Sequence, residues 1–131
     1  MREHPTHQGG CHCAAVKFEV RAPLQVTAQR CNCSICSMTG FVHLIVPAAH
    51  FKLLKGQQDL VCYQFNTKTA EHLFCRHCGV KSFYVPRSNP DGYSINMNCL
   101  DQSGFDEITL EEFDGANWEQ NAASLAHLSI P

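Results

Sequence analysis

Charge of one sign is the first thing this chain lacks: 10 Lys and Arg stand against 12 Asp and Glu, a formal net charge of −2 over 131 residues. The basic residues are scattered, so no face reads as a phosphate-neutralising surface, and nucleic acid is not an expected partner. Long hydrophobic runs are missing too. The longest, Phe41 to Ala49, is interrupted by His43 and Pro47 and is too short for a bilayer, so no membrane partner is expected. Met1 is followed by no apolar signal segment, and residues 1–8 read as a flexible N-terminal segment. Internal repeats, linkers and low-complexity tracts are absent, and 131 residues with 44% hydrophobic content suit one domain spanning 1–131.

Helical periodicity is scarce as well, with Asn121 to Leu128 the one plausible short helix. Strand patterns fill the gap. Val16, Phe18 and Val20 alternate with Lys17, Glu19 and Arg21, the period-2 signature of a half-buried strand. Phe41 to Val46 is a β-rich run stopped by Pro47, and His50 to Leu54 reads as a short strand ended by Lys55-Gly56. Leu60 to Phe65 and Glu71 to Phe74 flank a hairpin turn at Asn66-Thr67-Lys68-Thr69, Ser82 to Val85 follows, and Tyr93 to Cys99 alternates after the turn signal Asn89-Pro90-Asp91-Gly92. Thr109 to Phe113 fits a strand or a turn of helix. The expected fold is mainly β, a set of short antiparallel strands.

Cysteine is what the chain has in excess. Seven of the nine sit in three clusters: Cys11-His12-Cys13, Cys31-Asn32-Cys33-Ser34-Ile35-Cys36, and Cys75-Arg76-His77-Cys78-Gly79. Thiolates one or two residues apart reach one zinc ion with little loop to order. A disulfide framework is the competing reading, but it belongs to small secreted chains, an odd count leaves one thiol over, and a Cys-x-Cys bridge closes a strained ring. Reduced cysteines and the missing export signal point to the cytoplasm.

The clusters differ in kind. In the third, Gly79 supplies the φ > 0 residue that a CxxC knuckle needs after its second cysteine, and Gly9-Gly10 is a candidate for similar work before Cys11. The early CxC pair and the late CxxCG pair, Cys11, Cys13, Cys75 and Cys78, can close a four-sulfur structural zinc site that staples the N-terminal strand to the centre of the fold. Cys31, Cys33 and Cys36 offer three thiolates with no fourth ligand among Ser37, Met38, Thr39 and Gly40. Three ligands and an open position make a reactive zinc; completion by Cys62, Cys99 or a distant His would make a second structural site. Spacing leaves both open. His43 and His72 read as packed or surface residues, His12 and His77 as surface residues beside filled sites, and Cys62 and Cys99 as buried apolar thiols. Tyr93, Asn96 and Asn98 are candidates to line a polar cleft.

Gly10-Cys11-His12-Cys13, Cys31-x-Cys33-x-x-Cys36-x-x-x-Gly40, Gly56, Tyr63, Phe74-Cys75-x-x-Cys78-Gly79, Asn98-Cys99-Leu100-Asp101, Phe113-Asp114-Gly115 and Asn117-Trp118 together resemble the glutathione-dependent formaldehyde-activating enzyme family, which includes centromere protein V. The resemblance implies a β-tent-like fold of small coiled antiparallel sheets. It implies a structural zinc on Cys11, Cys13, Cys75 and Cys78, and a labile, catalytic zinc on Cys31, Cys33 and Cys36. It also implies carbon–sulfur lyase-type chemistry, the condensation of formaldehyde with glutathione to S-hydroxymethylglutathione. Two zinc ions and a small thiol such as glutathione are therefore the expected cofactor and partner. The other function classes are a non-catalytic zinc module that presents a surface to a macromolecule and a thiol or zinc sensor, the latter marked by reversible disulfides among Cys31, Cys33 and Cys36.

Overall fold

The computed structural model describes residues 4–65, 68–114 and 122–129. Residues 66 and 67 of the expected hairpin turn, and Gly115, Asn117, Trp118 and Asn121, lie outside the described residues.

Among the described residues, ten strands form two sheets. A three-stranded antiparallel sheet has the order β1 (Thr6–Gly10), β2 (Lys17–Arg21), β5 (Phe51–Lys55). The larger, seven-stranded sheet runs β10 (Glu107–Phe113), β3 (Gln25–Cys31), β4 (Val42–Pro47), β9 (Gly92–Asn96), β8 (Phe83–Val85), β7 (Glu71–Cys75), β6 (Leu60–Tyr63). Within it only β10 and β3 pair in parallel; the neighbouring pairs from β3 to β6 are antiparallel. The strands expected from alternation are present, except that the one expected over Tyr93 to Cys99 ends at Asn96, with Met97–Cys99 a 3-10 helix capped by the Asn96 side chain, and the one expected over Leu60 to Phe65 ends at Tyr63. Thr109 to Phe113 belongs to a strand, and 122–129 is a 3-10 helix rather than an α-helix.

Three expectations are corrected. Thr6–Gly10 is not a flexible lead-in but a strand paired along its whole length with β2, because Gly9 lies against Phe18 and buried His7 opposite Val20. Strand β3 was not expected, although Leu24, Val26 and Ala28 alternate with Gln25, Thr27 and Gln29; Ala and Gln weaken the signal. A short helix, α1 (Ser34–Thr39), stands inside the middle cysteine cluster where no helix was expected. Its six residues offer no apolar period; tertiary placement and Gly40, at φ 66° with its N–H on the Cys36 carbonyl, end it instead.

Because successive strand residues alternate sides and register partners share a side, the large sheet has two faces of opposite character. The inner face carries Val26, Ala28, Leu44, Val46, Phe83 and Ile95, packed against Phe18, Val20 and Phe51 of the small sheet. That is the hydrophobic core. The outer face carries Gln29, His43, Asn96, Ser94, Tyr84 and His72, neighbours across successive strands. All six are buried. No helix among the described residues is long and apolar enough to cross a membrane.

Candidate metal centre and its buried polar layer

The four sulfurs of Cys11, Cys13, Cys75 and Cys78 lie within 4.8 Å of one another. Cys11 Sγ to Cys13 Sγ and Cys13 Sγ to Cys75 Sγ are each 3.7 Å. A zinc ion with Zn–S bonds of about 2.3 Å needs tetrahedral S–S edges of about 3.8 Å, so the donor set and its size fit zinc. The sulfurs also receive backbone N–H groups, Val16 on Cys11 at 3.3 Å and His77 on Cys75 at 3.4 Å, as thiolates require. Gly79, at φ 76°, closes the second knuckle with its N–H on the Cys75 carbonyl at 2.8 Å. In the first knuckle the left-handed residue is Ala14, at φ 67°, and not Gly9 or Gly10, which lie in β1. Cys11 follows the small sheet and Cys75 ends a strand of the large one, so the cluster ties the two sheets together. His77 stands outside it, paired with Asp59 Oδ1 at 2.9 Å, and His12 is exposed.

The second cluster is built from one short stretch. Cys31 ends β3, Cys33 caps α1, and Cys36, one helical turn on, returns its sulfur to the same point; the three sulfurs lie within 4.8 Å of one another. Cys62 is exposed on the edge strand β6, not a buried thiol, and Cys99 is half-buried elsewhere. Neither joins the triad among the described residues. Three thiols in contact cannot all ionise. Hydrogen bonds from Cys31 first and Cys36 second draw Cys33 down to about 2, whereas the thiols that give those bonds, Cys31 and Cys36, are pushed up. A single cation at the centre would remove that competition, and three soft thiolates are the donors zinc prefers.

What spacing could not supply lies beneath the triad. His43, expected to be filler, is buried with Nε2 3.2 Å from Cys36 Sγ; its Nδ1 is 2.8 Å from Ser94 Oγ and 3.3 Å from the Tyr84 hydroxyl. Two hydroxyls converging on Nδ1 favour that nitrogen as acceptor, which leaves Nε2–H to donate to a Cys36 thiolate. Burial, then the nearby Lys81 charge, push His43 down to about 3, so the ring is neutral at ordinary pH. Lys81 is itself buried, 8% exposed, with Nζ 2.8 Å from His72 Nδ1 and 3.9 Å above the Tyr84 ring. Burial pushes it down to about 8 against the pull of the three cysteines. His72 stacks on Tyr84 and is lowered to about 4 by burial and by Lys81. Asn96 donates to the Lys81 carbonyl at 3.1 Å and Asn98 to that of Gly40 at 3.2 Å, while Tyr93 faces the core against Phe51, so the three do not line one cleft. A histidine at an outward position of an apolar strand, seven residues after Cys36, was the one signal in the sequence for this layer.

A family model described as glutathione-dependent formaldehyde-activating enzyme matches residues 6–114. A Halomonas elongata protein provisionally named a glutathione-dependent formaldehyde-activating enzyme is 33% identical over 79 residues, 54% of this chain and 50% of that protein. The chain thus spans about half the length of that curated relative. A crystal structure of a Rhodobacter sphaeroides protein, solved as a structural genomics target, shares 35% sequence identity at a TM-score of 0.67, covering 78% of this chain and 99% of that one.

Proposed function

The chain belongs to the glutathione-dependent formaldehyde-activating enzyme family, and from that premise we propose that it is a zinc-dependent enzyme of carbon–sulfur lyase type, joining a thiol such as glutathione to formaldehyde. The observation that carries the reading is the three-sulfur cluster with a buried histidine against it, Cys31, Cys33 and Cys36 beside His43. Cys11, Cys13, Cys75 and Cys78 hold a second, structural zinc in this reading, one domain houses both ions, and the cytoplasm is the reducing compartment that suits them.

In the forward reaction a sulfur–carbon bond forms, the carbonyl π bond opens, and the proton that leaves the thiol ends on the hydroxymethyl oxygen. No oxidant or reductant enters. Zinc bound by Cys31, Cys33 and Cys36 would supply a cation that favours the thiolate form of a thiol arriving beside it. The chain's own groups do the rest. Neutral His43 holds Cys36 by its Nε2–H and is itself oriented by Ser94 and Tyr84. Lys81, charged at neutral pH yet held near 8, has a proton that it can lend to a developing alkoxide and regain from the next thiol. The aromatic packing of Phe41 and Tyr84 around it keeps water from levelling that charge.

The test is the exchange of formaldehyde with glutathione, followed by NMR with and without protein. Acceleration above the spontaneous rate, abolished by Cys33→Ser, is the expected result. Binding without acceleration would make the chain a thiol or zinc carrier, and neither binding nor acceleration would favour a non-catalytic zinc module.

A further inference from the structure

Strands β3 and β4 are neighbours in the large sheet, yet they pair at only two positions, Gln29 with His43 and Arg30 with Val42. Toward the start of β3 and the end of β4 no residues pair, and a cavity of about 620 Å³ opens there. By the alternation of the two strands its floor belongs to the outer face, with Thr27 and Gln29 from β3 and Ile45 and Pro47 from β4. Leu125 and Leu128 of the 3-10 helix 122–129 line it as well. Buried Asn89 fastens that helix, its Nδ2 donating to the Leu125 carbonyl and to Ser129 Oγ, each at 2.9 Å. The apolar lining is therefore in place before any ligand arrives.

The two ends of this lining are polar and opposite in character. At one end Gln29 is buried, 6% exposed, and its Oε1 is the one buried side-chain polar atom among the described residues with no hydrogen-bond partner. A buried acceptor left without a donor costs free energy that the fold alone does not recover. The terminal amide torsion is soft, so the group turns to a donor in the cavity at little cost. Glu111, register partner of Gln29 on β10, also lines the cavity, so this end takes a hydroxyl and repels an anion. Beyond the start of β3 and the end of β4 stand Arg21, His4 and His50. Arg21 Nη2 donates to the Ala49 carbonyl at 2.7 Å, and no carboxylate pairs with it among the described residues. The rings of His4 and His50 meet edge to face at 5.6 Å. Burial, then the Arg21 charge, holds His50 below its ordinary value, a crowding of positive charge that an anion would relieve.

We infer that this cavity is a binding site for an apolar monocarboxylate with a hydroxyl at its far end, the carboxylate among Arg21, His4 and His50, the chain against Ile45, Pro47, Leu125 and Leu128, and the hydroxyl donating to Gln29. The site uses no cysteine and its ligand carries no sulfur, so it stands apart from the thiol reading above. Each part of the ligand answers one feature. The three basic groups select a carboxylate over an alcohol or an amine, the orphaned acceptor selects a hydroxyl over a methyl end, and Glu111 excludes a second carboxylate. The size agrees. From Gln29 to Gln25 the strand spans about 13 Å, the reach of an extended chain of about ten carbons. The volume falls within the range of about 300–1,000 Å³ usual for small-molecule sites.

The experiment is calorimetric titration of the full chain with 10-hydroxydecanoate, decanoate and 1,10-decanediol, each below its micelle concentration, on wild type, Arg21→Gln, Gln29→Leu and Thr27→Trp. The expected result is that 10-hydroxydecanoate binds best and that decanoate and the diol, each lacking one polar end, bind about tenfold more weakly. Arg21→Gln should weaken both carboxylates and leave the diol unchanged. Gln29→Leu should remove the advantage of 10-hydroxydecanoate over decanoate. Thr27→Trp fills the cavity from an exposed position, should weaken all three ligands, and covers the case in which Gln29→Leu misfolds. Excess glutathione and the variant Cys33→Ser should change nothing. No binding of 10-hydroxydecanoate, equal affinity for the three ligands, or affinities untouched by Thr27→Trp would overturn the site. Displacement of 10-hydroxydecanoate by glutathione would overturn it too, by making the cavity part of the thiol site, and would leave the thiol reading standing.

Discussion

The two faces of the seven-stranded sheet are made from the same strands and differ in what they bury. On the inner face side chains meet the small sheet, and the four-sulfur cluster joins the two sheets at Cys11 and Cys75. On the outer face the buried layer is His43, His72, Lys81, Ser94 and Asn96, capped by a three-sulfur cluster drawn from one stretch of chain, 31–36. Apolar burial contributes about 25 cal/mol per Å² wherever it occurs, whereas buried polar groups contribute little net stability and demand mutual satisfaction. The inner face therefore reads as stability and the outer face as function held at some cost.

The largest effect should separate the two clusters. Cys75 is fully buried and links sheets that share no strand pairing among the described strands, so in the proposed zinc reading Cys75→Ser removes a ligand whose metal-binding energy, of order 10 kcal/mol, is coupled to folding. That variant should be unfolded or lose several kcal/mol. Cys33→Ser interrupts a local cluster and should melt close to wild type. Metal analysis after mild chelation should agree, with one ion lost early from the triad and one retained. Equal collapse of both variants, or two equally retained ions, would erase the distinction between the faces.

Acid should act through the outer face. His72 lies near 4 in the fold against an ordinary 6.5, lowered by burial and by Lys81. A base whose folded value is depressed supports the fold fully above 6.5 and loses that support as pH falls toward 4, because the unfolded chain takes up the proton first. The loss is up to about 3 kcal/mol across that window. Urea midpoints measured from pH 7 to pH 4.5 should fall less steeply in His72→Gln than in wild type. Parallel slopes would mean that His72 is charged in the fold and that the outer layer is wetter than its packing says.

A smaller effect tests whether the outer layer serves the cluster. His43→Phe keeps the ring that packs on Phe41 but removes the donor to Cys36, and such supporting partners are worth about 10–100-fold in metal affinity. Competition with a chromophoric chelator should show that loss at the triad alone. An unchanged affinity would return His43 to the role of filler.

These contrasts were unequally legible in the sequence. Cysteine spacing carried the local triad of Cys31, Cys33 and Cys36 and the two halves of the four-sulfur cluster, because thiols one to three residues apart can meet without help from the rest of the fold, whereas the joining of Cys11 and Cys13 to Cys75 and Cys78 is made by the two sheets. Alternation carried the inner face, where Phe18 and Val20 alternate cleanly. The outer layer was hidden since its members, His43, His72, Lys81 and Ser94, are distant in the chain and meet only through the register of β4, β9, β8 and β7. Each alone looks like an ordinary surface residue. Strand β3 was missed for a related reason: Gln25, Thr27 and Gln29 bear the polar side of its alternation, and its pairing with β10, 82 residues later, gives no local sign.

The smallest expected effect separates face from cover. By register Cys62 belongs to the inner face, opposite Leu73 and through it Phe83. If the face alone decided stability, replacing it would open a gap in the core. But β6 is the edge strand farthest from β3 and β10, and Cys62 is exposed there. Cys62→Ser should therefore change stability by no more than about 0.5 kcal/mol, and it should leave both metal sites filled, since neither cluster uses its sulfur. A loss beyond 1–2 kcal/mol, of the size seen for buried positions, would mean that another surface covers β6 in solution, and the inner face would then extend to the edge of the sheet.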